Sequence, residues 1–149
     1  SPLLTLSQPA ALPISGLQRQ NLPASGLART MAYSLENEAY RQLPALLKTR
    51  SGLLLKERLI RTVIGGEEIN FFAKAERDGQ AVLVVGESVL KLDDVSKLKQ
   101  VEQHVELVRQ TLAEPVIPLI VTHFAHPVVL EKAYGRGIIV VQSFEWEGF

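Results

Sequence analysis

The apolar run Ala81-Val82-Leu83-Val84-Val85-Gly86 is interrupted by a carboxylate, Glu87. Burying an ionised carboxylate costs several kcal/mol unless a metal, a cation or water meets it. The position therefore demands either a partner or an exit of the strand into solvent at Gly86. Side chains alternate along a strand, which puts Glu87, Val89 and Lys91 on one face and Ser88 and Leu90 on the other. In the run before it, Glu68, Asn70 and Phe72 alternate with Ile69, Phe71 and Ala73. Glu68 and Asn70 are thus expected to face Glu87 across a hairpin, bringing two carboxylates and an amide together, with Lys91 as the nearest cation.

Other residues with chemistry to offer are more ordinary. His104 lies between Val101 and Val105 in a helical pattern and is expected on the helix surface rather than as a base. His123 and His126 are three apart, a spacing open to a metal, but no third ligand stands nearby. Lys48, Arg50, Lys56, Arg58 and Arg61 fall within fourteen residues with only Glu57 opposing them. Such a cluster either tracks a phosphate backbone or guards an edge strand against pairing with another sheet. Gly65-Gly66 and Gly135-Arg136-Gly137 lack the flanking residues of a phosphate loop, and no serine nucleophile elbow or EF-hand loop is present.

The stretch EEINFFAKAERDGQAVLVVGESVLKL resembles the hairpin of the PD-(D/E)XK superfamily of metal-dependent nucleases, whose core runs α-β-β-β-α-β. The resemblance covers about residues 34 to 146. It is nearest to nuclease-like domains with a glutamate-bearing helix ahead of the hairpin, here SLENEAYRQLP with Glu36, and a closing segment like VTHFAHPVVLEKAYGRGIIVV. In those families the hairpin reads approximately E-I-D, a turn, then G-E-x-K. The resemblance implies that the aspartate and glutamate bind Mg²⁺ and that the lysine stabilises charge at the attacked phosphate. Carried over, the aspartate falls on Asn70, the glutamate on Glu87 and the lysine on Val89. Asn70 retains a carbonyl oxygen but no charge, which lowers divalent-cation affinity, and Val89 has no electrostatic role. Catalysis by Glu87, Asn70 and Lys91 on a metal held by Glu68, Glu87 and Asn70 would require Glu68 and Lys91 to stand in for the lost groups. Two residues along a strand is about 6.5 Å, a gap that a lysine closes only in part.

The elements that must position these residues follow from pattern. Leu35, Ala39, Leu43, Leu46 and Leu47 repeat at helical spacing, so a helix is expected over 34–48 with Ser34 as N-cap and a kink or break at Pro44. Extended segments follow at Gly52–Val63, Glu68–Ala75 and Ala81–Leu90, punctuated by Gly65-Gly66 and by Asp78-Gly79, the latter a strong hairpin signal. Asp93 and Asp94 suit a helix start. Val95, Leu98, Val101, Val105, Val108 and Leu112 then form one stripe at spacings of 3, 3, 4, 3 and 4. A strand at 119–121, a short helix at 126–134 and a strand at 137–143 close the order α-β-β-β-α-β-α-β. The expected fold is α/β and restriction-endonuclease-like, with a mixed central sheet whose last three strands run parallel. Residues 1–32, rich in proline and small polar residues, read as a linker or arm ahead of a nuclease-like domain at 33–149, and a start at Ser1 is expected of an excised fragment.

The chain has 149 residues, a net charge of +0 and no cysteine. Thiolate nucleophiles, disulfides and cysteine zinc sites are excluded, and any nucleic-acid contact must come from a local patch. No apolar run is long enough to span a membrane, no signal-peptide pattern opens the chain, and a cytoplasmic location is the expectation. Three functions fit. The first is a nuclease-like domain with lost or weakened catalysis that acts in nucleic-acid binding or assembly. The second is an active Mg²⁺-dependent DNA endonuclease, in which metal-bound water attacks the phosphodiester. The third is a dimerisation or protein-interaction module without nucleic acid, motivated by the zero net charge, the leucine-bearing arm and the aromatic tail at 144–149. Mg²⁺ is expected only with activity; DNA and a second copy of the chain are the candidate partners.

Overall fold

A computed structural model describes the backbone of residues 16–147 and the side chains of residues 26–147. The chain divides into two compact units, Ser1–Tyr33 and Ser34–Phe149. The described part of the first is helical, belonging to helix α1 (Gly16–Ser51). This corrects the expected helix start at Ser34, which is not an N-cap. Strong helix formers such as Leu17, Gln18, Ala24, Ala28 and Met31 sustain a helix without an amphipathic period. The remainder of the expected arm, residues 1–15, lies outside the described residues.

In the second unit α1 buries Leu35, Ala39, Leu43 and Leu47, and this stripe holds the helix continuous past Pro44, which sits exposed. Four strands follow: β1 (Leu54–Leu55), β2 (Ile60–Ile64), β3 (Glu67–Arg77) and β4 (Gln80–Leu92). The first expected extended segment is thus two short strands, both antiparallel to β3. Helix α2 (Ser96–Thr111) leads to β5 (Val116–Ala125), α3 (Pro127–Gly135), β6 (Ile139–Gln142) and a closing 3-10 turn at Ser143–Glu147. The sheet order is β1-β3-β4-β5-β6 with β2 also on β3. β4, β5 and β6 are parallel, as expected for strands joined by helical crossovers. β5 is longer than the expected strand and includes Pro118; pairing with β6 begins only at Leu119, so at the proline the strand has one neighbour.

Both tight turns behave as their residues require. Asp78 and Gly79 have φ of 53° and 77°, and Gly65 and Gly66 have φ of 60° and 83°, the mirror-image turns that match strand twist. Helix α1 packs on one face of the sheet against Phe71, Ala73, Val84, Leu119 and Val121. Helices α2 and α3 cover the other, against Ile69, Leu83, Val85, Ile120 and Val140. No helix among the described residues is long and apolar enough to cross a membrane.

The β2–β3 turn also rests directly on α2: a Cβ built on Gly65 would lie 2.7 Å from Leu107 Cδ1. Gly65→Ala combines that clash with a left-handed backbone and is expected to destabilise the domain by about 1–3 kcal/mol. Calorimetric melting would show it as a lowered Tm; an unchanged Tm would mean the turn does not bear on the helix.

Candidate functional site

β3 and β4 pair regularly from Arg77 opposite Gln80 to Phe71 opposite Gly86. Beyond that point Asn70 replaces the ladder. Its Oδ1 accepts the Ser88 amide at 3.0 Å, and its backbone carbonyl accepts the Tyr40 hydroxyl at 2.6 Å. Alternation along β4 then sends Glu87 to the α2 face and Ser88 to the α1 face.

On the α2 face Glu87 is 9% exposed and hydrogen-bonds His104 Nδ1. The other ring nitrogen of His104 lies 3.6 Å from a carboxylate oxygen of Glu67. Burial pushes the Glu87 carboxyl above its ordinary range, outweighing the hydrogen bonds from His104 and the Asn70 amide, and the neighbouring Glu36 charge pushes the same way. The expectation of a surface histidine is corrected here, because His104 is 8% exposed. Residues three or four apart share a helix face, and His104 is three from Val101 and four from Val108, so it belongs to the buried stripe. That spacing, read together with the unpaired Glu87, was the available signal.

On the α1 face Glu36, only 6% exposed, is paired by the Arg61 guanidinium and accepts the Ser88 hydroxyl at 3.1 Å. Arg61 also reaches Glu68 at 3.0 Å. Partial burial disfavours the Arg61 charge, but its hydrogen bonds to Glu68 and Glu36 outweigh this and raise its pKa. Tyr40 is likewise held neutral to higher pH, by burial first and by the Glu36 charge second.

The sequence reading brought Glu68, Asn70, Glu87 and Lys91 to one face, and the structure does not. Ile69 and Phe72 both pack on the α2 face, three residues apart where strict alternation needs two. The pairing of β2 with β3 shifts register in the same stretch. That shift inverts the parity of Glu68, which turns to Arg61 instead of Glu87. Lys91 is exposed at the far end of β4, where its backbone carbonyl takes the Lys97 ammonium. Val89 packs beside the cluster of Leu92, Leu98 and Ile120.

Within the basic cluster, Arg50 pairs with Glu145 at 2.8 Å and Lys56 with Glu76 at 2.9 Å. Arg61 is occupied as above, which leaves Lys48 and Arg58 exposed and outside any ion pair of the described residues. His123 bonds the Ser143 hydroxyl at 2.8 Å, while His126 accepts the Val128 amide at 3.2 Å and caps α3. Among the described residues no group of three His, Cys, Asp or Glu is placed to hold a metal ion. Of the aromatic tail, Trp146 packs against the α1-side core while Phe144 is exposed.

The raised Glu87 pKa has a measurable consequence. Between the ordinary value of 4.5 and the raised folded value, the native state holds a proton that the unfolded chain has released, so stability falls as pH rises through that window. Glu87→Gln cannot ionise and is expected to flatten this part of the Tm against pH curve. Identical curves for the two proteins would show that burial does not perturb the carboxyl.

No protein-family model and no curated protein matches the chain. Among solved structures, it is similar to the MspJI restriction endonuclease in complex with a 27-mer oligonucleotide, with TM-score 0.51 and 17% identity over 90% of this chain and 31% of that one. A repair endonuclease from Pyrococcus abyssi gives TM-score 0.48 and 15% identity over 68% of this chain and 45% of its own. An XisH family protein from Nostoc punctiforme gives 0.43 and 15% over 72% and 94%. The chain therefore spans less than half the length of the two endonucleases. Together with the mixed sheet between α1 on one side and α2 and α3 on the other, the likeness to MspJI shows a restriction-endonuclease-like fold.

Proposed function

We propose that this chain is a nuclease-fold domain that does not hydrolyse phosphodiesters and serves in nucleic-acid binding or assembly. One observation carries the reading: every carboxylate at the hairpin mouth already has a partner from the protein itself. Glu87 is bound to His104, while Glu36 and Glu68 share Arg61. A Mg²⁺ site needs free carboxylate charge in near-octahedral oxygen geometry, and this donor set does not fit one. Asn70 adds no charge and spends its side-chain oxygen on a backbone amide. Val89 carries no charge, and Lys91 is exposed at the far end of β4.

The ion pairs within the basic cluster favour a modest role for phosphate contact, and a second reading follows from them. Leu54, Ile60 and Val63, the last 64% exposed, stand on β1 and β2, strands that among the described residues pair with β3 alone. Exposed apolar residues on an edge suit assembly with another protein surface.

Supercoiled plasmid incubated with the protein in Mg²⁺ or Mn²⁺ is expected to stay intact; nicking that Glu87→Ala abolishes would overturn the proposal. Duplex binding, where measured, should show a slope of log K against log salt no steeper than about −2, the contribution of Lys48 and Arg58 alone. A slope near about −5 would mean that the paired arginines and lysine also reach phosphate.

A further inference from the structure

The backbone of β2 has one side turned to β3 and one side turned away from it. The Gly65-Gly66 turn joins Ile64 to Glu67, and a two-residue mirror-image turn closes on a hydrogen-bonded pair. Along an antiparallel ladder, hydrogen-bonded and non-hydrogen-bonded pairs alternate. Ile64 opposite Glu67 and Thr62 opposite Ile69 therefore turn their N–H and C=O groups to β3, while Val63 opposite Glu68 turns its own outward. Arg61, two residues before Val63, presents its backbone outward in the same way. Among the described residues β2 pairs with β3 alone, and no turn or loop backbone hydrogen bond reaches Arg61 or Val63.

The side chains leave this edge unguarded. Sheet edges are ordinarily blunted by proline, by a bulge in the edge strand or by charges standing along it. β2 reads Ile-Arg-Thr-Val-Ile and holds no proline. The extra residue of the register shift lies on β3. The one charge of the strand, Arg61, is drawn to Glu36 and Glu68. Ile60 and Val63 stand exposed instead, and the glycines that follow Ile64 carry no side chain to obstruct a neighbour.

We infer that this edge pairs with the same edge of a second copy of the chain, the two β2 strands running antiparallel about a two-fold axis at Thr62. The inference rests on the assembly reading of the edge and names its partner. β2 is self-complementary about Thr62. Arg61 and Val63 of one copy lie opposite Val63 and Arg61 of the other, and the outward groups of these two residues make four backbone hydrogen bonds. Ile60 meets Ile64 and Thr62 meets Thr62 on the α2 face, while the aliphatic stem of Arg61 covers Val63 on the α1 face. No like charges oppose one another in this register. An axis at Arg61 would set two guanidinium groups against each other, and an axis at Val63 would leave Ile60 opposite Gly66.

The test is sedimentation velocity on the full chain, with two kinds of variant. A monomer–dimer equilibrium with a Kd on the order of 10⁻⁴ M is expected, since so short a contact falls well below a standard interface. Proline at Val63 removes an N–H that β3 does not use, which an edge strand tolerates. Val63→Pro should therefore raise the Kd at least about tenfold through the two lost hydrogen bonds while keeping the melting transition. The chain has no cysteine, so single-cysteine variants report the register. Two Thr62 Cα atoms would stand about 4.5 Å apart, within disulfide reach, whereas the two Val63 residues are a further step apart along the strands. Oxidised Thr62→Cys should become a covalent dimer and Val63→Cys should not.

A chain that stays monomeric at about 1 mM, a dimer that a folded Val63→Pro leaves unchanged, or equal cross-linking of the two cysteine variants overturns the inference. If Val63→Pro does not fold, the cysteine pair decides. A monomer that binds duplex DNA rejects the pairing and leaves nucleic-acid binding standing. DNA cleavage by a dimer refutes the non-hydrolytic proposal and leaves the pairing standing.

Discussion

Two buried carboxylates, Glu36 and Glu87, flank one hairpin from opposite faces of the sheet, and most of the local architecture neutralises them. An apolar sheet tolerates neither charge alone. Glu36 is paired by a guanidinium from β2, and Glu87 is hydrogen-bonded by an imidazole from α2 while burial favours its protonated form. Asn70 ties α1 and β4 to β3: its backbone carbonyl accepts the Tyr40 hydroxyl and its side-chain Oδ1 accepts the Ser88 amide. A neutral side-chain amide makes the second bond without adding a third negative charge between two carboxylates, a physical reason for asparagine at this position.

The surrounding elements serve that arrangement. Gly65 lies against Leu107 of α2, and two residues on Glu67 reaches to 3.6 Å from His104. The extra residue of β3 between Ile69 and Phe72 puts Glu68 on the same face as Arg61. Gly86 allows β5 to approach so closely that a Cβ there would meet Leu119 at 3.1 Å, and Glu87 follows it directly. A carboxyl held protonated more easily than usual by burial, beside a histidine, is a structural pair first. It faces the core of the α2 side, whereas the helix glutamate of the resemblance, Glu36, faces the α1 side.

The comparison with endonucleases bears on fold and not on chemistry, since function lives in sites grafted onto folds. The β3–β4 hairpin, the parallel strands β4 to β6 and the apolar stripe of α2 apart from His104 were legible, because they depend on local periodicity and on turn residues such as Asp78-Gly79, whereas the division of the first extended segment into β1 and β2 was not. Asn70 and Val89 were also legible as departures from the family hairpin. The helix before Ser34 was not, since its residues favour helix by propensity without an apolar period to reveal it.

What the sequence by itself determined is the set of groups at the hairpin and the strands that carry them. Which groups meet was decided only in the tertiary structure. One irregular residue between Ile69 and Phe72 inverts the face of everything before it, so Glu68 meets Arg61 and not Glu87; a period-2 reading carries no record of such a slip. His104 and Glu87 are seventeen residues apart, and their pairing follows from the crossover that lays α2 over β4. Charge compensation acts through space, and only the packed chain fixes those distances.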